Sequence, residues 1–73
     1  MKEGLKMIRI STPYITLGQL LKMTDWIDSG GQAKVAVKTL KIKVNGEKED
    51  RRGRKLYPAD VIDIEGKSYT IDQ

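Results

Sequence analysis

The sequence predicts an α+β fold in which two helices cover one face of a sheet. Two segments before residue 41 carry apolar side chains at helical spacing. The segments after residue 41 instead alternate apolar and polar residues, as strands do. The Asn45-Gly46 pair is typical of a tight hairpin turn. Because the helices precede most of the strands, we expect both helices to pack on the same sheet.

The bulk composition narrows the possible functions. The chain has 73 residues and contains neither cysteine nor histidine. We expect one domain over residues 1–73, near the lower size at which a domain folds alone. Without these two residue types the usual neutral-pH base and the commonest metal ligands are missing, so we predict no catalysis, no cofactor and no small-molecule substrate. No apolar run approaches the ~20 residues of a membrane span and no signal peptide is recognisable, which predicts a cytoplasmic protein.

The first predicted elements are a short strand and a capped helix. Ile8 and Ile10, with Met7 on the other side, predict a short edge strand. Thr16 is a suitable N-cap for a helix, and Gln19, three residues later, completes a capping box. The helix should therefore begin directly after Thr16.

This first helix is expected over residues 17–28. Either Gly30 or Gly31 could take the left-handed position that ends it. Leu21 lies in the middle of the apolar stripe and should be buried against the sheet. The stripe consists of Leu17, Leu20, Leu21 and Ile27.

A second helix is expected over residues 32–40. Its apolar face consists of Ala33, Ala36, Val37 and Leu40. Val35 falls on the opposite side and does not fit this stripe. A separate stripe of Lys34, Lys38 and Lys41 lies roughly 115° away at about 100° per residue, so lysines should line the margin of the docked face.

The remaining segments predict a hairpin and further strands. Ile42 and Val44 alternate with polar residues before the Asn45-Gly46 turn, whereas the return arm over 47–50 has no apolar residue and should be exposed or brief. Leu56 and Tyr57 should rejoin the core. After a turn at residues 58–60, strands are expected over 61–64 and around Tyr69 and Ile71, with Gly66 turning the chain between them.

The positive charge is concentrated in the middle third of the chain. Residues 32–55 contain nine basic and three acidic residues, whereas residues 56–73 contain one basic and four acidic residues. The segment Arg51-Arg52-Gly53-Arg54-Lys55, here called the basic loop, holds four cations in five residues. Arginine can bind phosphate with two parallel hydrogen bonds, so the pattern favours an anionic partner such as a nucleic acid. A solvated loop that keeps the protein soluble would show the same pattern.

Several segments in order resemble the S-four RNA-binding domain, a module named after ribosomal small-subunit protein four. The similarity is greatest to its short stand-alone bacterial members, called YaaA-like. It covers about residues 15–65. The segments that carry it are Ile15 to Gln19, Ser29 to Lys34, Val44 to Gly46, Arg51 to Leu56, and Asp60 to Ile62.

The resemblance implies two helices on a bent, largely antiparallel sheet, with RNA bound across the second helix and the basic loop. Gly30 stands where the family usually has an arginine. Ala59 replaces the glycine of the usual Gly-Asp turn, so we expect no positive φ there. The implied RNA-binding residues are Gln32, Lys34 and Lys38 on the helix, Lys43 and Asn45 on the hairpin, and Arg51, Arg52, Arg54 and Lys55 on the basic loop.

We therefore predict a non-catalytic, monomeric module that binds structured RNA, such as ribosomal RNA, and has no membrane partner. The basic residues would neutralise phosphates and read shape more than sequence. One alternative is a protein-interaction adaptor that docks its basic patch on an acidic protein. The acidic residues Asp60, Asp63 and Glu65 are interpreted as solvated rather than as a carboxylate site.

Overall fold

The computed structural model of the protein describes residues 5–73, which form an α+β fold. The order of elements is β1 Lys6–Arg9, β2 Ile15–Thr16, α1 Leu17–Met23, α2 Ala33–Thr39, β3 Ile42–Val44, β4 Glu47–Lys48, β5 Lys55–Leu56, β6 Val61–Ile64 and β7 Lys67–Asp72. A 3₁₀ turn over Gly30–Gln32 leads into α2.

Five strands form a mixed sheet in the order β1-β7-β6-β3-β4, and β2 pairs with β5 in a separate two-stranded ribbon. The predicted edge strand is confirmed as β1, which lies parallel to β7, while the other neighbours are antiparallel. Ile42 lies opposite Ile64, and Val44 lies opposite Ile62. Because these side chains share one face of the pleat, the sheet has an apolar inner face.

Helices and sheet share one hydrophobic core. Leu17, Leu20 and Leu21 of α1 are fully buried in the same cluster as Ile62 and Ile64 of β6. The predicted burial of Leu21 is thus confirmed. At about 25 cal/mol per Å² of apolar area, each such side chain stabilises the fold by roughly 1.5–3 kcal/mol.

Helix α1 begins as predicted but ends earlier. The Thr16 Oγ1 accepts a hydrogen bond from Gln19 N, and the Gln19 side chain accepts one from Thr16 N, which confirms the capping box. The predicted end near residue 28 is wrong. Asp25 adopts φ 65°, and Trp26 N donates to Leu21 O at 2.9 Å. This Schellman arrangement stops the helix because aspartate tolerates the left-handed region and Trp26 packs against the core.

Helix α2 keeps its predicted faces. Ala33, Ala36 and Val37 are buried, whereas Lys34 and Lys38 are exposed. The expectation that a glycine at 30 or 31 ends the first helix in the left-handed conformation is wrong, since both belong to the 3₁₀ turn before α2. The chain has already turned at Asp25, so the glycines lead into the second helix instead.

Two hairpin turns have the same conformation. Asn45 and Gly46 have φ values of 52° and 86°, and Glu65 and Gly66 have 51° and 87°. Positive φ at both central residues is the signature of the type I′ turn. The hairpin at Asn45-Gly46 is thereby confirmed, and its return strand β4 is brief, as expected.

The turn after β5 contradicts two expectations. Ala59 adopts φ 78°, and Tyr57 remains 48% exposed instead of joining the core. Ala59 N donates to Ile71 O at 2.9 Å, and Asp60 N donates to Tyr57 O at 3.0 Å. The Asp60 carboxylate also accepts from Tyr57 N at 2.8 Å. These bonds hold alanine in a conformation that costs about 1–2 kcal/mol.

Between residues 5 and 73, neither helix is long and apolar enough to cross a membrane.

Candidate nucleic-acid interface

The basic loop is attached to the start of α1 through its backbone. Leu17 N donates to Arg54 O, and Gly18 N donates to Arg52 O, each at 2.9 Å. The first backbone amides of a helix have no acceptor within the helix, so the carbonyl oxygens of the basic loop accept their hydrogen bonds. Because α1 is anchored in the core, the main chain of the loop is held in place.

Gly18 lets three elements approach closely at this point. A Cβ atom at Gly18 would lie 3.3 Å from the Ala33 Cβ and 3.4 Å from the Arg52 carbonyl oxygen. A side chain at Gly18 would thus be tightly placed against both α2 and the basic loop, and glycine leaves room for their close contact with α1.

A buried carboxylate organises the side chains of the basic loop. Glu49 is only 5% exposed, and its oxygens accept hydrogen bonds from Arg51 Nε at 2.8 Å, from Arg51 Nη2 at 3.1 Å and from Arg54 Nη1 at 2.7 Å. Arg51 N donates to the same carboxylate at 3.1 Å. These bonds, those of Arg51 foremost, lower the pKa of Glu49 from 4.5 to about 2 and outweigh the effect of desolvation. Glu49 is therefore ionised at neutral pH and compensates part of the loop charge.

The four cations of the basic loop differ in their environments. The side chain of Arg54 is 33% exposed and that of Arg51 is 70% exposed, although both contact Glu49. Arg52 and Lys55 are exposed and form no ion pair with any residue between 5 and 73. Arg51 retains donors that face solvent, because only part of its guanidinium is used by Glu49.

A groove of about 360 Å³ lies between α1, the start of α2 and the basic loop. Arg52 and Lys22 both contribute to its wall, so the groove is cationic. Lys22 was not among the residues singled out from the sequence, although its place one turn beyond Gln19 on the capped helix was a usable signal. The lining residues are Thr16, Gly18, Gln19, Lys22, Gly30, Ala33, Arg52 and Gly53.

The predicted site residues on and before α2 are close in sequence to residues that line this groove. Gln32 precedes the helix, and its Oε1 accepts a hydrogen bond from Asp28 N at 2.6 Å. Lys34 is exposed one residue after the groove-lining Ala33. The Lys38 Nζ lies 3.9 Å from a carboxylate oxygen of Asp50, the residue just before the basic loop. This contact connects α2 to the base of the loop.

The two predicted hairpin residues lie elsewhere. Lys43 is on the outer face of the sheet, because its neighbours Ile42 and Val44 point inward. It lines a separate depression together with Lys41, Lys48 and Asp63. The Asn45 side chain donates to Asp60 Oδ1 at 3.1 Å and accepts from Val61 N at 2.9 Å. Asn45 thus contributes to holding β3 and β6 together.

The acidic residues have structural partners. Glu65 accepts from Lys41 N at 2.6 Å, and Asp63 accepts from the Ser68 hydroxyl. Asp60 bonds both the Asn45 side chain and Tyr57 N. These carboxylates hold turns and strands instead of standing free in solvent.

Together these elements define a small α+β module with a cationic groove between two helices and an anchored basic loop. The chain belongs to the S4-domain family, since a family model described as S4 domain matches residues 8–72. This match confirms the resemblance seen in the sequence and extends it towards both ends.

Similar proteins are also short. The chain is 54% identical over 59 residues to the "Probable ribosome maturation protein RlbA" of Bacillus subtilis, covering 81% of this chain and 83% of that protein. It is 34% identical over 59 residues to the "Putative RNA-binding protein YbcJ" of Escherichia coli, covering 81% and 84% respectively. No solved structure matches this chain significantly.

Proposed function

We propose that the protein is a non-catalytic RNA-binding module that acts as a monomer in the cytoplasm. Its ligand is structured RNA, in particular ribosomal RNA during ribosome assembly or maturation. The basic loop and the lysines of α2 contact phosphates, and the groove receives the RNA backbone. Binding of this kind recognises shape and charge more than base sequence.

The observation that carries the proposal is the position of Arg52. Its carbonyl oxygen is bonded to Gly18 N, while its side chain is exposed beside the groove. A cation on an anchored main chain loses less freedom on binding than one on a mobile loop. Arg51 and Arg54 add charge on either side, held in place by Glu49.

The similar proteins support the ligand class. One is described as a probable ribosome maturation protein and another as a putative RNA-binding protein. Of these two, the B. subtilis protein has the higher identity to this chain and is the one described as a probable ribosome maturation protein. This is why we propose ribosomal RNA as the ligand.

Salt dependence of RNA binding tests the role of Arg52. Each phosphate contact contributes about 0.7–0.9 to the slope of log affinity against log salt. The variant Arg52→Gln should bind structured RNAs more weakly by a similar factor and lower the slope by ~1. Lys6→Gln, on the exposed edge strand β1, removes the same charge away from the groove and serves as the control. Equal losses in both variants would show that bulk charge, and not the groove, governs binding.

The ligand itself can be identified by crosslinking in cells followed by sequencing of the attached RNA. Enrichment of ribosomal RNA over background is expected. Recovery of no RNA above background would contradict the proposed function and leave an acidic protein as the partner to seek.

A further inference from the structure

The ribbon formed by β2 and β5 presents one polar and aromatic face to solvent. Ile15 pairs with Leu56, and both are buried. Since side chains alternate along a strand, the flanking residues point the other way. The outer face therefore carries Tyr14, Thr16, Lys55 and Tyr57.

Two tyrosines on this face form an exposed aromatic pair. The ring centroids of Tyr14 and Tyr57 are 5.6 Å apart with an interplanar angle of 47°. The two residues are 38% and 48% exposed. The Lys55 Nζ lies 5.0 Å from the centroid of the Tyr14 ring. Tyr57 is the more exposed of the two residues.

The other large aromatic residues are used by the core. Trp26 packs against the hydrophobic cluster, and its Nε1 donates to the Tyr69 hydroxyl at 3.1 Å. Tyr69 is buried. The chain contains one tryptophan, three tyrosines and no phenylalanine, so half of its large aromatic residues lie on one exposed ribbon that the core does not need.

The aromatic pair adjoins the cationic groove. Thr16 belongs both to the outer face of the ribbon and to the groove lining. Lys55 ends the basic loop and pairs with Thr16 in the ribbon. An RNA strand whose phosphates contact Arg52 would therefore bring its next unpaired nucleotide towards the two tyrosines.

We propose that Tyr14 and Tyr57 form a stacking platform for an unpaired base of the bound RNA, next to the groove that contacts its backbone. This inference rests on the proposed function and adds that the ligand contains a single-stranded nucleotide beside a helical segment. Base stacking on an exposed aromatic ring is favourable for every base, because each has a π face. Lys55 neutralises the phosphate of that nucleotide and supports the Tyr14 ring.

The test compares a blunt RNA stem with a shorter stem that carries a short single-stranded uridine extension, so that both RNAs have the same number of phosphates. The wild-type protein should prefer the extended stem. Stacking is strong enough that Tyr14→Leu with Tyr57→Leu should lower affinity for the extended stem about 5- to 150-fold and leave the blunt stem unchanged. Tyr14→Phe with Tyr57→Phe retains the rings and should bind nearly as well as wild type. Met7→Ala removes an exposed apolar side chain from β1 and should change neither affinity.

An RNA variant makes the test independent of protein folding. An abasic residue in the extension should lower the affinity of the unmodified protein by a factor similar to that of the leucine variants. Equal binding of blunt, extended and abasic RNAs by the wild type would overturn the stacking platform while leaving RNA binding intact. Leucine variants that lose blunt and extended stems equally would overturn it as well. Absence of binding to all three RNAs would instead contradict the proposed function.

Discussion

Substitution of Glu49 by glutamine should destabilise the protein and release the basic loop. Glutamine has nearly the same shape but is neutral, and an NH2 group that donates replaces one of the two oxygens that accept from Arg51 and Arg54, so the ion pairs and part of these hydrogen bonds are lost. The arginines would then be fixed only through their backbone. Asp50→Asn removes the same charge from the neighbouring position, where the carboxylate is exposed and 3.9 Å from Lys38. It is the matched control and should change stability by less than about 1 kcal/mol.

The size of the stability loss expected for Glu49→Gln follows from the lowered pKa of Glu49. The bonds to arginine hold it at about 2, compared with 4.5 for an ordinary glutamate. At 1.36 kcal/mol per pK unit, this difference corresponds to at most roughly 3 kcal/mol. Solvent around the largely exposed Arg51 screens part of the interaction, so we expect about 1–2 kcal/mol at neutral pH.

The pH dependence has a defined sign. A carboxyl group whose pKa is lowered in the folded state stabilises the protein above its unfolded pKa, and this stabilisation is lost as the pH falls towards the folded value. The contribution of Glu49 should therefore be complete above pH 4.5 and should disappear by about pH 2. The difference between wild type and Glu49→Gln should shrink across this window.

Urea unfolding at several pH values measures this difference directly, and thermal unfolding checks it. For a domain of this size, a loss of 1 kcal/mol lowers Tm by roughly 4–8 °C. If Glu49→Gln were as stable as wild type at neutral pH, the carboxylate would not organise the loop. A stability loss that stayed constant from neutral pH to about pH 2 would show that packing, and not charge, is responsible.

Three other variants test the fold and the basic loop by urea unfolding. Leu21→Ala should lower the free energy of unfolding by ~2–5 kcal/mol, because it leaves a cavity at a fully buried site; an unchanged unfolding midpoint would contradict the packing. Ala59→Gly should stabilise the protein by about 0.5–1 kcal/mol, since glycine adopts φ 78° without strain; a loss of stability would refute the strained turn. Arg54→Gln should be less stable than Arg52→Gln, because Arg54 bonds the buried Glu49 whereas Arg52 does not; equal stabilities would show that the bond between Arg54 and Glu49 contributes nothing.

Because Arg54 bonds the buried Glu49, the basic loop is not an entirely external surface. Four cations in five residues looked like a purely external surface. The buried Glu49 pairs with two of these cations from inside the fold. The alternation of β4 continues one residue past the strand and turns the Glu49 side chain inward, while Glu49 N donates a hydrogen bond to Ile42 O. An acid two residues before the first arginine was visible in the sequence, but its burial was not.

Local signals in the sequence determined much of the fold. The capping box of Thr16 and Gln19 set the start of α1, and Asn45-Gly46 set the turn between β3 and β4. The apolar stripes identified the buried faces of both helices. Each of these features depends on residues only a few positions apart, so their physical causes are contained within a short stretch of chain.

The candidate site depended more on tertiary structure. The sequence identified the basic loop, but contacts between distant segments decided which cations face solvent. Leu17 N and Gly18 N donate hydrogen bonds to the carbonyl oxygens of Arg54 and Arg52. The rings of Tyr14 and Tyr57 pair across the ribbon. The same holds for Ala59, whose amide bonds Ile71 O and so keeps a conformation that alanine disfavours on its own. Partners separated by many residues meet only when the whole core forms, and the energy of the assembled fold then outweighs the local preference of any single residue.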